Sequence, residues 1–202
     1  MTPMLVDKGS PVGAADRPTE AIGGEGTLPI PPTLIAGVGY RNLRDLSAGN
    51  AIVDALLPLV WPDGVEVEDL SYGPMDVIFR LREARFARLI IVGAATGPLG
   101  LPGAITRRRW RYAPEPPAMI QARVAEAVTG VISLENLLVI CAHFAALPPE
   151  VTVIAIAPGD DGWGDEFSPP VARSIARVVA ELRAECGATT MHEEAAPGRV
   201  VE

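Results

Sequence analysis

From Thr33 onward the chain alternates short apolar runs with longer stretches whose apolar residues recur every three to four positions. "TLIAGVG" is too short for a helix and is closed by glycines, so it is predicted as a buried strand. From Ser47, residues Ala48, Ala51, Ile52, Ala55, Leu56 and Leu59 fall at helical spacing, with Ser47 as the expected N-cap. "GVEVEDL" alternates as a half-buried strand does, and "PMDVIFRLREA" is a helix with Pro74 tolerated at its start. "ARLIIVGAA" is a second buried strand ending in Gly93, and "GAITRRRW" is an alternating strand. "PPAMIQARVAEAVTG" and "SLENLLVICAHFAAL" are predicted helices separated at Gly130, and "EVTVIAIAP" is another buried strand. In "SPPVARSIARVVAELRAEC", Ser168 is the expected cap and Val171, Ile175, Val178, Val179 and Leu182 form the apolar stripe.

Continuously apolar strands alternating with amphipathic helices imply an α/β fold, a mostly parallel twisted sheet of about five strands with helices on both faces. Right-handed crossovers place helices on each side and make three layers. Ligands of such sheets meet the loops at the carboxyl ends of the strands. Those loops are Gly37 to Ser47, Asp69 to Met75, Gly93 to Pro102 and Pro158 to Pro169.

Composition adds boundaries and exclusions. Residues 1–32 are rich in Gly, Pro, Ala and Glu without apolar periodicity, and are expected to be a disordered tail. Residues 33–186 are expected to form a single domain, and 187–202 a flexible tail. The net charge of -8 argues against non-specific nucleic-acid binding, which needs clustered cations. No apolar run reaches the roughly 18 residues of a membrane span, and "MTPMLVDKGS" lacks a secretory pattern, so a cytoplasmic location is expected. Cys141 and Cys186 are too few for a disulfide framework, and Cys141 is expected to be a buried free thiol.

Candidate chemistry concentrates at the strand ends. Gly37-x-Gly39 suggests a dinucleotide loop, but the third glycine of that fingerprint would fall at Asn42, and no P-loop pattern exists. The rim carboxylates are Asp45, Glu68, Asp69, Asp76 and the group Asp160, Asp161, Asp165 and Glu166. Asp45 and Glu68 follow adjacent strands and are expected to lie close, beside Gly37, Gly39 and Tyr40 as a binding rim. Each carboxylate taken singly also reads as surface charge. His143, in an apolar helix, reads as a hydrogen-bonded core or surface histidine, His192 lies near the chain end, and no serine sits in a nucleophile elbow. "RRRWRY" is read as an alternating strand whose arginines meet solvent or the acidic surface, with Arg107, Arg108 and Arg109 as a possible docking site for a partner.

Taken together, these segments resemble the nickel–iron hydrogenase maturation protease family over roughly Thr33 to Arg183. The pieces are "LIAGVGYRNLRDLSAGNAIVDAL", "EDLSYGPMDVIFRL", "ARLIIVGAATGPLGLPGAI", "SLENLLVICAHFAALPPEVTVIAIAP" and "FSPPVARSIARVV", in the family's order and at compatible spacing. The resemblance implies the fold inferred above. It also implies a cytoplasmic endopeptidase that trims the C-terminal extension of a hydrogenase large subunit once nickel is inserted.

The departures fall on the metal ligands that the resemblance implies. The acid after Asp45 is Leu46, the aspartate of the middle strand is Gly93, and the histidine position falls on Gly130 or, with a gap, on Glu135. The asparagine after the second glycine is Tyr40. Leu and Gly side chains carry no lone pair, and Asp45 with Glu68 but no imidazole makes a poor nickel site. The expectation is therefore a pseudo-protease without a resident metal or cofactor. It would act as an assembly factor or scaffold for a hydrogenase large subunit or related metalloenzyme precursor, binding neither nucleic acid nor membrane. A divergent active endopeptidase is the alternative, and a small-ligand binding domain a weaker one.

Overall fold

A computed structural model of the chain describes residues 30–95, 100–127 and 133–190. Among the described residues, five strands form one sheet: β1 (Thr33–Val38), β2 (Val65–Asp69), β3 (Arg88–Ala94), β4 (Ile105–Arg109) and β5 (Glu150–Ile156). The α-helices described with them are α1 (Ala48–Leu56), α2 (Pro74–Ala84), α3 (Pro117–Ala127), α4 (Leu134–His143) and α5 (Pro169–Cys186). The strand order is β2-β1-β3-β5-β4. The first four of these are parallel and β4 runs antiparallel to β5, closing one edge.

The two-residue period of the strands sorts their side chains between two cores. Leu34, Ala36, Leu89, Ile91 and Val153 pack against α2, α3 and α4. Ile35, Ile90, Val92 and Ile154 pack against α1 and α5 through Ile52, Leu56, Val171, Val178 and Leu182. Both faces of β1 and β3 are covered, which is why these strands read as unbroken apolar runs. Each fully buried Leu or Ile contributes roughly 1.5–3 kcal/mol of transfer free energy, so this three-layer core outweighs any single surface interaction.

The helices start and stop largely where the pattern places them, but two expected caps do other work. Ser47 follows a single 3₁₀ turn (Arg44–Ser47), and its hydroxyl donates to the Arg44 carbonyl instead of capping α1. Ser168 makes no side-chain cap for α5 either, because its hydroxyl is committed to Asp45. Ser133 does cap α4, its Oγ accepting from the Asn136 N–H at 3.2 Å. Gly130 and the tails expected over 1–32 and 187–202 lie mostly outside the described residues. Within them, Pro32 accepts from Ala87 and Arg88, and Thr189 exchanges backbone hydrogen bonds with Val60, so the chain is still held there.

Helix α1 crosses β1 at unusually short range, and glycines permit it. A Cβ on Gly49 would sit 2.2 Å from the Val38 carbonyl oxygen, and one on Gly37 2.4 Å from the Gly49 oxygen. Gly49→Ala therefore tests the packing directly. Helix propensity alone predicts a gain of up to about 1 kcal/mol, whereas overpacking against backbone costs about 3. We expect a net loss of about 2 kcal/mol, read as a lower urea midpoint with an unchanged m-value.

Candidate functional site

The loop between β1 and α1 is bound to the loop between β5 and α5 by one buried carboxylate. Asp45 is fully buried. Its Oδ2 accepts from the Gly159 N–H at 2.8 Å, the Asp160 N–H at 2.9 Å and the Ser168 hydroxyl at 2.7 Å. Its Oδ1 accepts from the Ser168 N–H at 2.8 Å. Burial opposes the charge, but the Ser168 hydroxyl and the three N–H donors outweigh it and hold this carboxyl below its ordinary range. Around this clasp Asp45 N–H bonds the Asp160 carbonyl, Arg44 N–H bonds Gly164, and Gly164 N–H bonds Asn42. Arg44 also pairs with Asp160 at 2.8 Å.

The two joined loops and the end of β2 enclose an open groove of about 560 Å³, lined among others by Gly39, Tyr40, Asn50, Asp69, Ser71 and Trp163. Asn50 is buried on α1 and donates from Nδ2 to Asp69 and to Ser71 Oγ, both at 2.9 Å. Those partners set the orientation of its amide. Ser71 Oγ also accepts from the Gly39 N–H at 3.0 Å, and the Ser71 N–H bonds Asp69 at 2.9 Å. Arg41 closes the group from solvent with a bidentate pair to Asp54 and a contact to Asp69 at 3.0 Å. Burial works against the Asp69 charge, but Ser71, Asn50 and Arg41 together hold its carboxyl below the ordinary range. Tyr40 places its hydroxyl in the interior without a hydrogen-bond partner among the described residues, and Asn50 Oδ1 is likewise unpartnered. Burial, with the nearby Glu126 charge, pushes the Tyr40 hydroxyl up to about 12, so it stays neutral.

This geometry redistributes the residues expected at the rim. Asp45 and Glu68 do not meet. Asp45 is drawn across the sheet to the loop after β5, whereas Glu68 stays at the β2 edge, accepting from Tyr72 at 2.9 Å and Arg80 at 2.6 Å. Gly37 is buried within β1 and serves helix packing, and only Gly39 and Tyr40 reach the groove. The Gly39 and Tyr40 N–H groups are already bonded, to Ser71 and Leu46, which removes the phosphate-cradle reading. The three arginines of β4 have different surroundings. Arg107 pairs with Glu185, Arg108 with Glu135, and Arg109 has no carboxylate partner among the described residues. His143 is a surface histidine, exposed and 3.4 Å from the Tyr112 hydroxyl, within the reading of a hydrogen-bonded core or surface residue. Cys141 is a buried free thiol, as expected, and burial pushes it up to about 12. His192 lies outside the described residues. Sequence reasoning missed Asn50 and Ser71. A polar residue on the apolar stripe of α1, and the Asp69-Leu70-Ser71 turn, are the signals that point to them.

No protein-family model matches the sequence, and no curated protein matches it. Solved structures do match in fold. The hydrogenase maturating endopeptidase HybD from E. coli superposes with a TM-score of 0.58 at 23% identity, over 77% of this chain and 94% of that one. A hydrogenase 2 maturation peptidase from a Thaumarchaeota archaeon gives 0.53 at 24% identity, over 77% and 97%. The nickel–iron hydrogenase maturation protease HycI from Thermococcus kodakarensis gives 0.51 at 17% identity, over 76% and 90%. The chain thus has the fold of the hydrogenase maturation endopeptidases, as its sequence resemblance implies.

The residues at the ligand positions implied by that resemblance do not fit a nickel ion. Leu46 has no donor atom. Gly93 is buried, and a Cβ built there would lie 2.7 Å from the Val38 carbonyl oxygen and 3.0 Å from Leu134. Glu135, the shifted candidate, is taken up by Arg108 at 2.6 Å and by the Trp110 indole N–H at 2.9 Å. Gly130 lies outside the described residues. Among the described residues no three His, Cys, Asp or Glu side chains gather as a metal site, and no helix is long and apolar enough to cross a membrane.

The clasp has a testable pH signature. Because the folded Asp45 carboxyl titrates below its unfolded value near 3.9, its stabilisation is complete above that value and lost as pH falls through the folded one. Asp45→Asn leaves buried N–H groups facing an amide and should cost about 3 kcal/mol at neutral pH. It should also flatten the acid limb of stability against pH, measured by denaturant titration from pH 7 to pH 3.

Proposed function

We propose that this chain is a divergent, non-catalytic relative of the hydrogenase maturation proteases. In the cytoplasm it would bind the large-subunit precursor of a nickel–iron hydrogenase, or of a related metalloenzyme, as an assembly factor. The observation that carries this reading is the packing at Gly93. An aspartate there has no room for its first carbon without moving the Val38 backbone, so the missing ligand is not a simple exchange of side chains. Leu46 beside it offers no donor, and the neighbouring Asp45 spends all four of its hydrogen bonds within the fold. A nickel-guided cut therefore lacks its guide.

The fold presents an open groove of about 560 Å³ at the carboxyl ends of β1 and β2. The Asp69–Asn50–Ser71 group is held rigidly on its floor. Trp163 is 77% exposed on its wall. An exposed tryptophan on a braced loop offers a large contact area at little conformational cost, the usual form of an interface anchor.

The test uses a purified hydrogenase large-subunit precursor with its C-terminal extension intact. We expect the two proteins to co-elute, the extension to keep its full mass after prolonged incubation, and Trp163→Ala to weaken the complex about tenfold. Removal of the extension overturns the non-catalytic reading. Failure to associate overturns the partner. Titration calorimetry with nickel should give no stoichiometric heat.

A further inference from the structure

The opposite edge of the sheet carries a second surface, independent of the groove. Strand β4 is an edge strand, paired only with β5. In its antiparallel register, Thr106 faces Ala155 and Arg108 faces Val153, and the Trp110 N–H bonds Val151 O at 2.9 Å while Ala104 O accepts from Ala157 at 2.9 Å. The even-numbered residues therefore direct their backbone groups inward. The N–H and C=O groups of Ile105, Arg107 and Arg109 point outward. No backbone partner beyond β5 is found for them among the described residues. Beside this edge runs a groove of about 620 Å³ between β4 and α5, lined by Ile105, Arg107, Pro170, Arg173, Ser174 and Arg177, with Glu181 at its end.

The charge of this surface is opposite to that of the chain. Arg107 is balanced by Glu185 and Arg177 by Glu181. Arg109 and Arg173 are exposed and have no carboxylate partner among the described residues. A chain of net charge -8 thus presents unspent positive charge along its one antiparallel edge. Arginines on an edge strand also forbid a second copy from pairing there, since like charges would face each other across the new ladder. The same groups favour a strand of the opposite sign.

We propose that β4 accepts an extended acidic segment of a partner polypeptide as a sixth strand, bonded to the backbone of Ile105, Arg107 and Arg109. Its carboxylates would meet Arg109 at the end of the strand and Arg173 in the α5 groove. Main-chain hydrogen bonds supply the attachment, and alternate side chains supply the selection.

The experiment titrates the isotope-labelled full chain with a short acetylated peptide of alternating Glu and Thr. We expect the amide resonances of Ile105, Arg107 and Arg109 to shift and gain exchange protection. Raising salt should weaken binding, and Arg173→Glu, on an exposed helix face, should weaken it about tenfold. The same peptide N-methylated at alternate residues should lose binding, because it keeps the charge and loses the ladder. Equal binding of the methylated peptide overturns the proposal, as does equal binding of an oligothymidylate or a shift confined to residues away from β4. Self-association through β4 in sedimentation overturns it as well. None of these readouts involves the groove beside Asp69, so the two proposals fail separately.

Discussion

A carboxylate buried without a cation is the constraint around which the upper face of this molecule is arranged. Removing Asp45 from water is unfavourable by several kcal/mol unless its lone pairs are filled. They are filled by donors that lie more than a hundred positions away in the chain, at Gly159, Asp160 and Ser168. The conformation in which the β5–α5 loop satisfies Asp45 also sets Arg44 against Asp160 and seats Gly164 on Asn42. Trp163 stands between these points, so its projection beside the groove is a consequence of the clasp. The helix start at Ser168 gives up its own side-chain cap for the same purpose. Local helix stability is spent on a long-range join.

Glycine packing determines what this face can hold. With α1 drawn onto β1 at Gly37 and Gly49, and Gly93 drawn under Val38, no side chain enters from the middle strand. Polar chemistry is displaced to the β2 side, where Asn50, Asp69 and Ser71 bond one another. That group is anionic and reinforced by Arg41, with Asn50 Oδ1 left without a partner among the described residues.

The elements of the fold were legible because each is set by its own residues. Apolar runs closed by glycine mark β1 and β3, three-to-four periodicity marks α1 and α5, and Pro74 starts α2. The sheet with helices on both faces follows from the alternation. The site was only partly legible. A loop aspartate reads the same in sequence whether it faces water or three backbone amides, so Asp45 was placed on a rim from which it is buried. Its expected neighbour Glu68 is separated from it because the loop bearing Asp45 crosses toward β5, and nothing in the loop's own residues gives that direction. The absence of metal-binding side chains at Leu46 and Gly93 was visible in one dimension. That Gly93 has no room for one is visible only in three.

The two edges of the sheet differ in a way that bears on assembly. Strand β2 is the other edge and is itself an alternating acidic strand, Val65 to Asp69. Left open, it would complement the arginines of β4 in the next molecule. A head-to-tail contact of that kind forms a ring where its rotation closes and a filament where it does not. Arg80 on α2 works against it. Its guanidinium bridges Glu66 and Glu68, both at 2.6 Å, while resting on the Phe86 ring. The acidic edge is thereby turned onto its own helix and partly balanced, whereas Arg109 and Arg173 at the far edge keep their charge. Pairing within the fold thus takes up charge at the β2 edge through Arg80, while Arg109 at the β4 edge has no carboxylate partner among the described residues.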